Sequence, residues 1–200
     1  MLTQLDTVKV RLAIDPLDVE FDDLLTSAID AVSFRFDKET NRTLARTTDA
    51  TFEFDASDTE ISVPCYPVES VSKFETKTSE STGWIEQISV DYLIRQSCII
   101  SLSNNFGPWS FDVGLGPSLA RATYTGGYVL PGATPSAGQT ALPTDLEQAA
   151  VEQIAWWFLY RDRIGLTTRW PKGGVLERFA QLDLLLNVQT VLKRYQRICF

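Results

Sequence analysis

Apolar and polar positions change rhythm three times along the chain. Leu2, Leu5, Val8 and Leu12 recur at helical spacing, and Asp15-Pro16 turns the chain. A second helix is predicted over roughly 18–39, with Leu25, Ile29, Val32 and Phe36 on one stripe. From about 46 to 128 the period shortens to that of strands: Thr51–Asp55, Ile61–Val63, Val68–Phe74, Trp84–Val90, Tyr92–Ile94, Cys98–Leu102 and Leu119–Tyr124. Pro64, Pro67, Gly83, Asn104-Asn105 and the glycines of 114–117 punctuate them. An uncharged Pro/Gly loop covers 129–141.

Helical spacing then returns. Thr144-Asp-Leu-Glu147 fits a capping box, and the helix it opens is expected to reach about Ile164, closed by Gly165. Leu146, Ala150, Ile154, Trp157 and Phe158 form its core-facing stripe, while Trp156, Leu159 and Tyr160 fall outside it. A helix apolar nearly all round is enclosed on more than one side, which makes Trp156, Trp157, Phe158, Leu159 and Tyr160 subunit-interface candidates. A single deeply buried central helix is the alternative. Val175, Leu176, Phe179 and Leu182 suggest a further helical piece, and Asn187 caps a last one carrying Val188, Val191, Leu192 and Tyr195.

These segments predict an α+β chain: mostly a helical bundle of three to five helices, with an antiparallel β region inserted mid-chain. The divisions are a helical pair (1–45), the β-rich insertion (46–128), a loop (129–141), and C-terminal helices and tail (142–200) packing with 1–45 as one domain.

Composition narrows the chemistry. The 200 residues are 44% hydrophobic and 22% charged, an ordinary globular balance. No apolar run has the length of a membrane span, and Met1–Asp6 has no secretory-signal pattern. Three cysteines, far apart and odd in number, are expected as thiols in a reducing cytoplasm. The net charge of −8 argues against a general nucleic-acid binder. It is uneven: −4 over 1–45, −6 over 46–141 and +2 over 142–200. The carboxylates Asp18, Glu20, Asp22 and Asp23 suit the positive end of a helix dipole better than a calcium loop, since the EF-hand glycine and ligand alternation are missing. The chain has no histidine, which removes Ser-His and Cys-His nucleophiles and the common zinc sites. Ser70-x-x-Lys73 sits in strand-like alternation, where residues three apart face opposite ways, so it is not an acyl-serine pair. Gly114-Leu-Gly116 followed by Pro117 is no dinucleotide fingerprint.

Three segments carry a resemblance. One is the N-terminal pair, Val8–Leu12 and Phe21–Leu25 through Ile29, leaving at Thr40-Asn41-Arg42. The next joins Tyr124-Thr-Gly126-Gly127-Tyr128 to Leu142-Pro143-Thr-Asp145-Leu146 and Ala149. The last is Arg161-Asp-Arg163 with Gly165, joined by the ending Leu192-Lys-Arg-Tyr-Gln-Arg197. About half the chain thereby resembles the head–tail connector (adaptor) proteins of tailed bacteriophages. That resemblance implies a structural virion protein without enzymatic activity or cofactor, in a ring of about twelve like subunits at the virion neck, assembled in the bacterial cytoplasm. Its partners would be the portal protein and a stopper or tail-completion protein, with double-stranded DNA passing through unread, and no membrane. It marks Arg42, Tyr124, Gly126, Gly127, Pro143 and Asp145 as structural positions. It also marks the basic tail, Lys193, Arg194, Tyr195, Arg197 and Phe200, as portal-binding candidates. Other readings are a stopper or tail terminator, a carboxylate-dependent phage hydrolase, and a carbohydrate-binding module.

Overall fold

A computed structural model describes residues 1–88, 90–104, 107–108, 118–163, 168–169, 177–178 and 183–197. Four helices and twelve short or medium strands follow in the order α1 (Leu5–Leu12), α2 (Asp22–Thr40), β1 (Thr47–Asp55), β2 (Glu60–Ser62), β3 (Val68–Lys77), β4 (Ile85–Glu86), β5 (Val90–Arg95), β6 (Ile99–Asn104), β7 (Gly107–Pro108), β8 (Leu119–Gly126), β9 (Tyr128–Val129), β10 (Thr140–Ala141), α3 (Thr144–Leu159), β11 (Thr168–Arg169), β12 (Glu177–Arg178) and α4 (Leu186–Arg194). Helix and strand take comparable shares of the chain, which corrects the expected mostly helical bundle. The β residues build sheets of their own through pairings distant in sequence, such as Thr47 with Gly126, and local periodicity does not encode these.

The chain divides into two compact units, one of residues 1–40 with 142–196, the other of residues 41–141 with the C-terminal end. In the helical unit α3 packs on α1, α2 and α4. The α2 stripe of Leu25, Ile29, Val32 and Phe36 is buried as the 3.6-residue period requires. Leu146, Ala150 and Ile154 of α3 are buried as well, with Val188 and Leu192 of α4 also in the core. Gln153 is wholly buried on α3 and accounts for the start of α4: its Oε1 accepts the Leu185 N–H at 2.8 Å. A side chain from a neighbouring helix thus satisfies an otherwise unsatisfied helix N-terminus.

Three local expectations fail here. Thr144 is not an N-cap; Pro143 holds that position without a side-chain bond, and the Glu147 carboxylate lies at the Thr3 hydroxyl instead. Asn187 sits inside α4 and donates to Glu152 Oε2, because Leu185 is the capping residue. Glu177–Arg178 pairs antiparallel with Thr168–Arg169, where a helical piece was expected; Val175, Leu176, Phe179 and Leu182 lie outside the described residues, as do Ile164 and Gly165. Helix α3 ends at Leu159, and a single 3-10 turn follows at Arg161–Arg163.

In the second unit β1-β8-β3-β4 form one antiparallel sheet and β2-β6-β5 another, with β7 added to β6. One apolar cluster draws on both: Phe54, Phe74, Ala122 and Tyr124 from the first, Ile61, Ile100 and Leu102 from the second. Strand β8 alternates buried residues with exposed or half-buried ones over its whole length, as a strand with one covered face should. The β3–β8 pairing slips between Val68 and Ser70 and again between Val71 and Lys73, so the Ser70/Lys73 spacing falls on an irregular strand.

Candidate assembly surfaces

The Tyr124–Tyr128 segment closes the β unit on itself. A Cβ at Gly126 would lie 2.5 Å from the Cys65 carbonyl oxygen, and one at Gly127 would lie 2.6 Å from that of Ala45. Gly127 also has φ +98°, which β-carbon-bearing residues rarely adopt. The approach lets the Gly127 N–H donate to Pro67 O and the Arg46 N–H donate to Tyr128 O. Tyr124 is buried, and its phenol oxygen accepts the Cys65 N–H at 3.1 Å. Burial pushes this phenol up to about 12.

Arg42, only 4% exposed, lies over the Tyr66 ring at 3.4 Å and the Tyr128 ring at 5.3 Å, and donates to the Tyr66 carbonyl. Arg42, Tyr124, Gly126 and Gly127 therefore belong to one packed region. Pro143 and Asp145 belong to the helical unit. Asp145 opens α3 and accepts the Tyr195 hydroxyl at 2.7 Å, fixing the end of α4 to the start of that helix.

The aromatic end of α3 departs from its expected stripe. Burial runs through Leu146, Ala149, Ala150, Val151, Gln153, Ile154 and Ala155 and stops there. Trp156, Trp157, Phe158 and Tyr160 are half-buried, and Leu159 is 65% exposed. Trp156 and Tyr160 pack with their rings tilted by 38° and 3.9 Å between centres. Phe158 meets Phe21 edge-on at 5.3 Å, and the Arg161 guanidinium covers both rings. The Trp157 indole N–H is buried with no acceptor among the described residues.

Of the tail candidates, Lys193 and Arg194 are exposed and form no ion pair among the described residues. Tyr195 is engaged by Asp145, Gln196 donates to Glu39 O, and Arg197 donates to Ser62 O and lies over Phe52. Phe200 lies outside the described residues.

One feature escaped sequence reasoning. Lys9 is 2% exposed, and its ammonium reaches Asp22 at 2.5 Å, Asp18 O at 2.8 Å and Pro16 O at 3.3 Å. It staples the connection from α1 to α2. Asp15 and Asp18 brace that connection further, accepting the Leu17 and Glu20 N–H groups. The result is a fixed loop that holds Leu17 89% and Val19 72% exposed. A lysine inside an apolar-spaced helix was the available signal.

Several charges in the β unit are paired, although acidic groups outnumber basic ones there. Glu75, on β3, lies 2.8 Å from Lys73 and 2.6 Å from Arg121, and these hydrogen-bonded cations hold its carboxyl below the ordinary range. Among the described residues no group of three or more His, Cys, Asp or Glu is placed to hold a metal ion, and no helix is long and apolar enough to cross a membrane.

No family model matches the sequence, and no curated protein is significantly similar to it. The fold is nevertheless similar to solved structures. One, from the neck of an empty gene transfer agent particle computed with C6 symmetry, has a TM-score of 0.60 at 13% identity, over 98% of this chain and 89% of that one. A chain in the virion of a native gene transfer agent particle gives 0.56 at 15% identity, with the same coverage. A chain from the native particle's neck, computed with C12 symmetry, gives 0.51 at 15%, covering 96% and 89%. Nearly end to end, this chain has the fold of chains from the neck and the virion of gene transfer agent particles.

Proposed function

We propose that the protein is a structural subunit of the neck of a tailed-phage-like particle: an adaptor that forms a ring of about twelve copies between the portal and the stopper or tail. DNA passes through the ring without being read, and the chain carries out no catalysis. The observation that carries this reading is the likeness to neck chains over 98% of the sequence, far more than a shared module would give. The sixfold and twelvefold symmetries stated for those necks support a cyclic assembly of like subunits. The half-buried aromatic run of α3, with Leu159 exposed, supplies apolar surface for a neighbouring subunit.

The test is native mass measurement and negative-stain imaging of the purified chain, alone and mixed with DNA-filled, tail-less heads. A ring at the single portal vertex is the expected result. A chain that ignores those heads under all conditions overturns the reading. The substantial β share gives a stopper a specific claim, since stoppers are the more β-rich neck proteins. The same experiment separates the two, because a stopper joins only heads already bearing an adaptor.

A further inference from the structure

Resting on that ring reading, we infer that the Lys9-stapled loop of one subunit docks on the exposed basic stripe of α4 in the next. Two surfaces of the helical unit complement each other. The first is the loop 13–21 with the start of α2. It presents Leu17 and Val19 among Asp15, Asp18, Glu20 and Asp23, four exposed carboxylates that form no salt bridge among the described residues. The second is the outer face of α4, where Leu186, Thr190, Lys193 and Arg194 recur at helical spacing and are all exposed. The loop sets two exposed apolar side chains among negative charges; α4 itself carries one, Leu186, on a stripe whose charges, Lys193 and Arg194, are positive.

Their positions suit a chain of identical contacts. The loop adjoins the first turn of α2. Helix α4 ends near the last turn of α2, where Gln196 donates to Glu39 O; Asp183, just before α4 begins, lies 3.6 Å from Arg35 one turn earlier. At about 1.5 Å per residue, these ends of a 19-residue helix are about 25 Å apart. Two unlike, complementary patches at opposite ends of one body make a head-to-tail contact, the kind that closes into a ring. The loop is also set in advance. Three oxygen partners fix Lys9, and two carboxylates brace the backbone, so little ordering remains to be done when Leu17 and Val19 are covered. Phe21 extends the loop to Phe158, which makes the aromatic end of α3 continuous with this surface.

Charge exchange tests the pairing. One variant carries Lys193→Glu and Arg194→Glu, a second carries Asp18→Lys and Glu20→Lys, and a third carries all four changes. Ring formation is followed by native mass, alone and on tail-less heads, after circular dichroism establishes that each variant is folded. Each double variant should need at least about tenfold more protein for half-assembly. The four-change chain, and an equimolar mixture of the two doubles, should recover to within about threefold of the parent, since every contact again joins opposite signs. Should the charge variants misfold, a Leu17→Cys, Leu186→Cys chain gives a second measure. It should oxidise to a ladder of multimers that neither single cysteine variant forms.

If the parent forms rings and the double variants form them equally well, this pairing is wrong and the neck-ring reading stands. Rings that assemble normally but no longer dock on heads would also overturn it, returning Lys193 and Arg194 to a portal contact. If the parent forms no ring anywhere, both readings fall.

Discussion

Among the described residues each unit buries one cation almost completely, by opposite means. Lys9 in the helical unit places a compact ammonium among a carboxylate and two carbonyls. Arg42 in the β unit lays a flat guanidinium against Tyr66 and Tyr128 and gives a hydrogen bond to a carbonyl. The difference follows from the two head groups. An ammonium is strongly hydrated and is buried only where oxygens replace its water, whereas a guanidinium sheds water readily and stacks on aromatic faces. Lys9 therefore organises a loop rich in carbonyls and carboxylates, and Arg42 organises a corner rich in aromatics. One region holds a surface outward; the other closes a fold inward.

The sharpest way to break the second region is to fill its closest approach. Gly126→Ala and Gly127→Ala should each cost more than about 3 kcal/mol, because carbonyl groups must move or a strained φ must be held. Soluble yield and melting temperature should both collapse, and a melting temperature near the parent's would show that the corner yields.

Next comes the loop. Lys9→Met leaves the Asp22 carboxylate and two carbonyls without their cation, which should cost about 2 to 3 kcal/mol. Hydrogen exchange over 13–22 should quicken far more than exchange in β8. Equal acceleration in both places would mean that Lys9 supports the whole chain rather than its loop.

The reciprocal conservative exchanges sharpen the contrast at smaller cost. Arg42→Lys should lose about 1 to 2 kcal/mol in thermal melts, as the stacked plane is lost. Lys9→Arg should be of similar size, for want of room among three oxygens. A neutral result in either would remove the claim that the two sites select their cation.

Smallest at neutral pH is the titration of Tyr124. Its folded value of about 12 lies above the ordinary 10, so the folded state favours the neutral phenol. That contribution is complete below pH 10 and is lost as pH rises from 10 toward 12. Stability measured across this window should fall, and Tyr124→Phe should flatten the fall. An unchanged slope in the variant would assign it to other groups.

How much of this was legible depended on the range of the interaction. The α2 stripe could be read because one turn of helix places Leu25, Ile29, Val32 and Phe36 together whatever lies elsewhere. Strands were legible singly, and Leu119–Tyr124 proved to be most of β8. Their joining into two sheets with a common core was not, since β1 and β3 meet β8 across about forty residues or more. For the same reason the helical share was overestimated. Gly126-Gly127 stood out as a motif, but its cause, two carbonyl groups pressed against the backbone, depends on Cys65 and Ala45. At the end of α3, composition suggested enclosure on more than one side. Burial stops at Ala155 because α3 there has outrun its covered face. Lys9 was the clearest miss: no local rule predicts that a lysine will turn inward to reach carbonyls seven and nine residues ahead.

The Cys65 thiol donates to Gly126 O at 3.1 Å inside the β unit, next to the corner that the two glycines close. An alkylating reagent can reach that sulfur only when the corner opens. Half-buried Cys98 supplies a faster reference reaction in the same molecule. The chain thus contains its own clock: the ratio of the two labelling rates, followed by peptide mass, times the opening of one corner. It needs no introduced probe, and it can be read in a crowded assembly mixture where spectroscopy cannot follow a single protein.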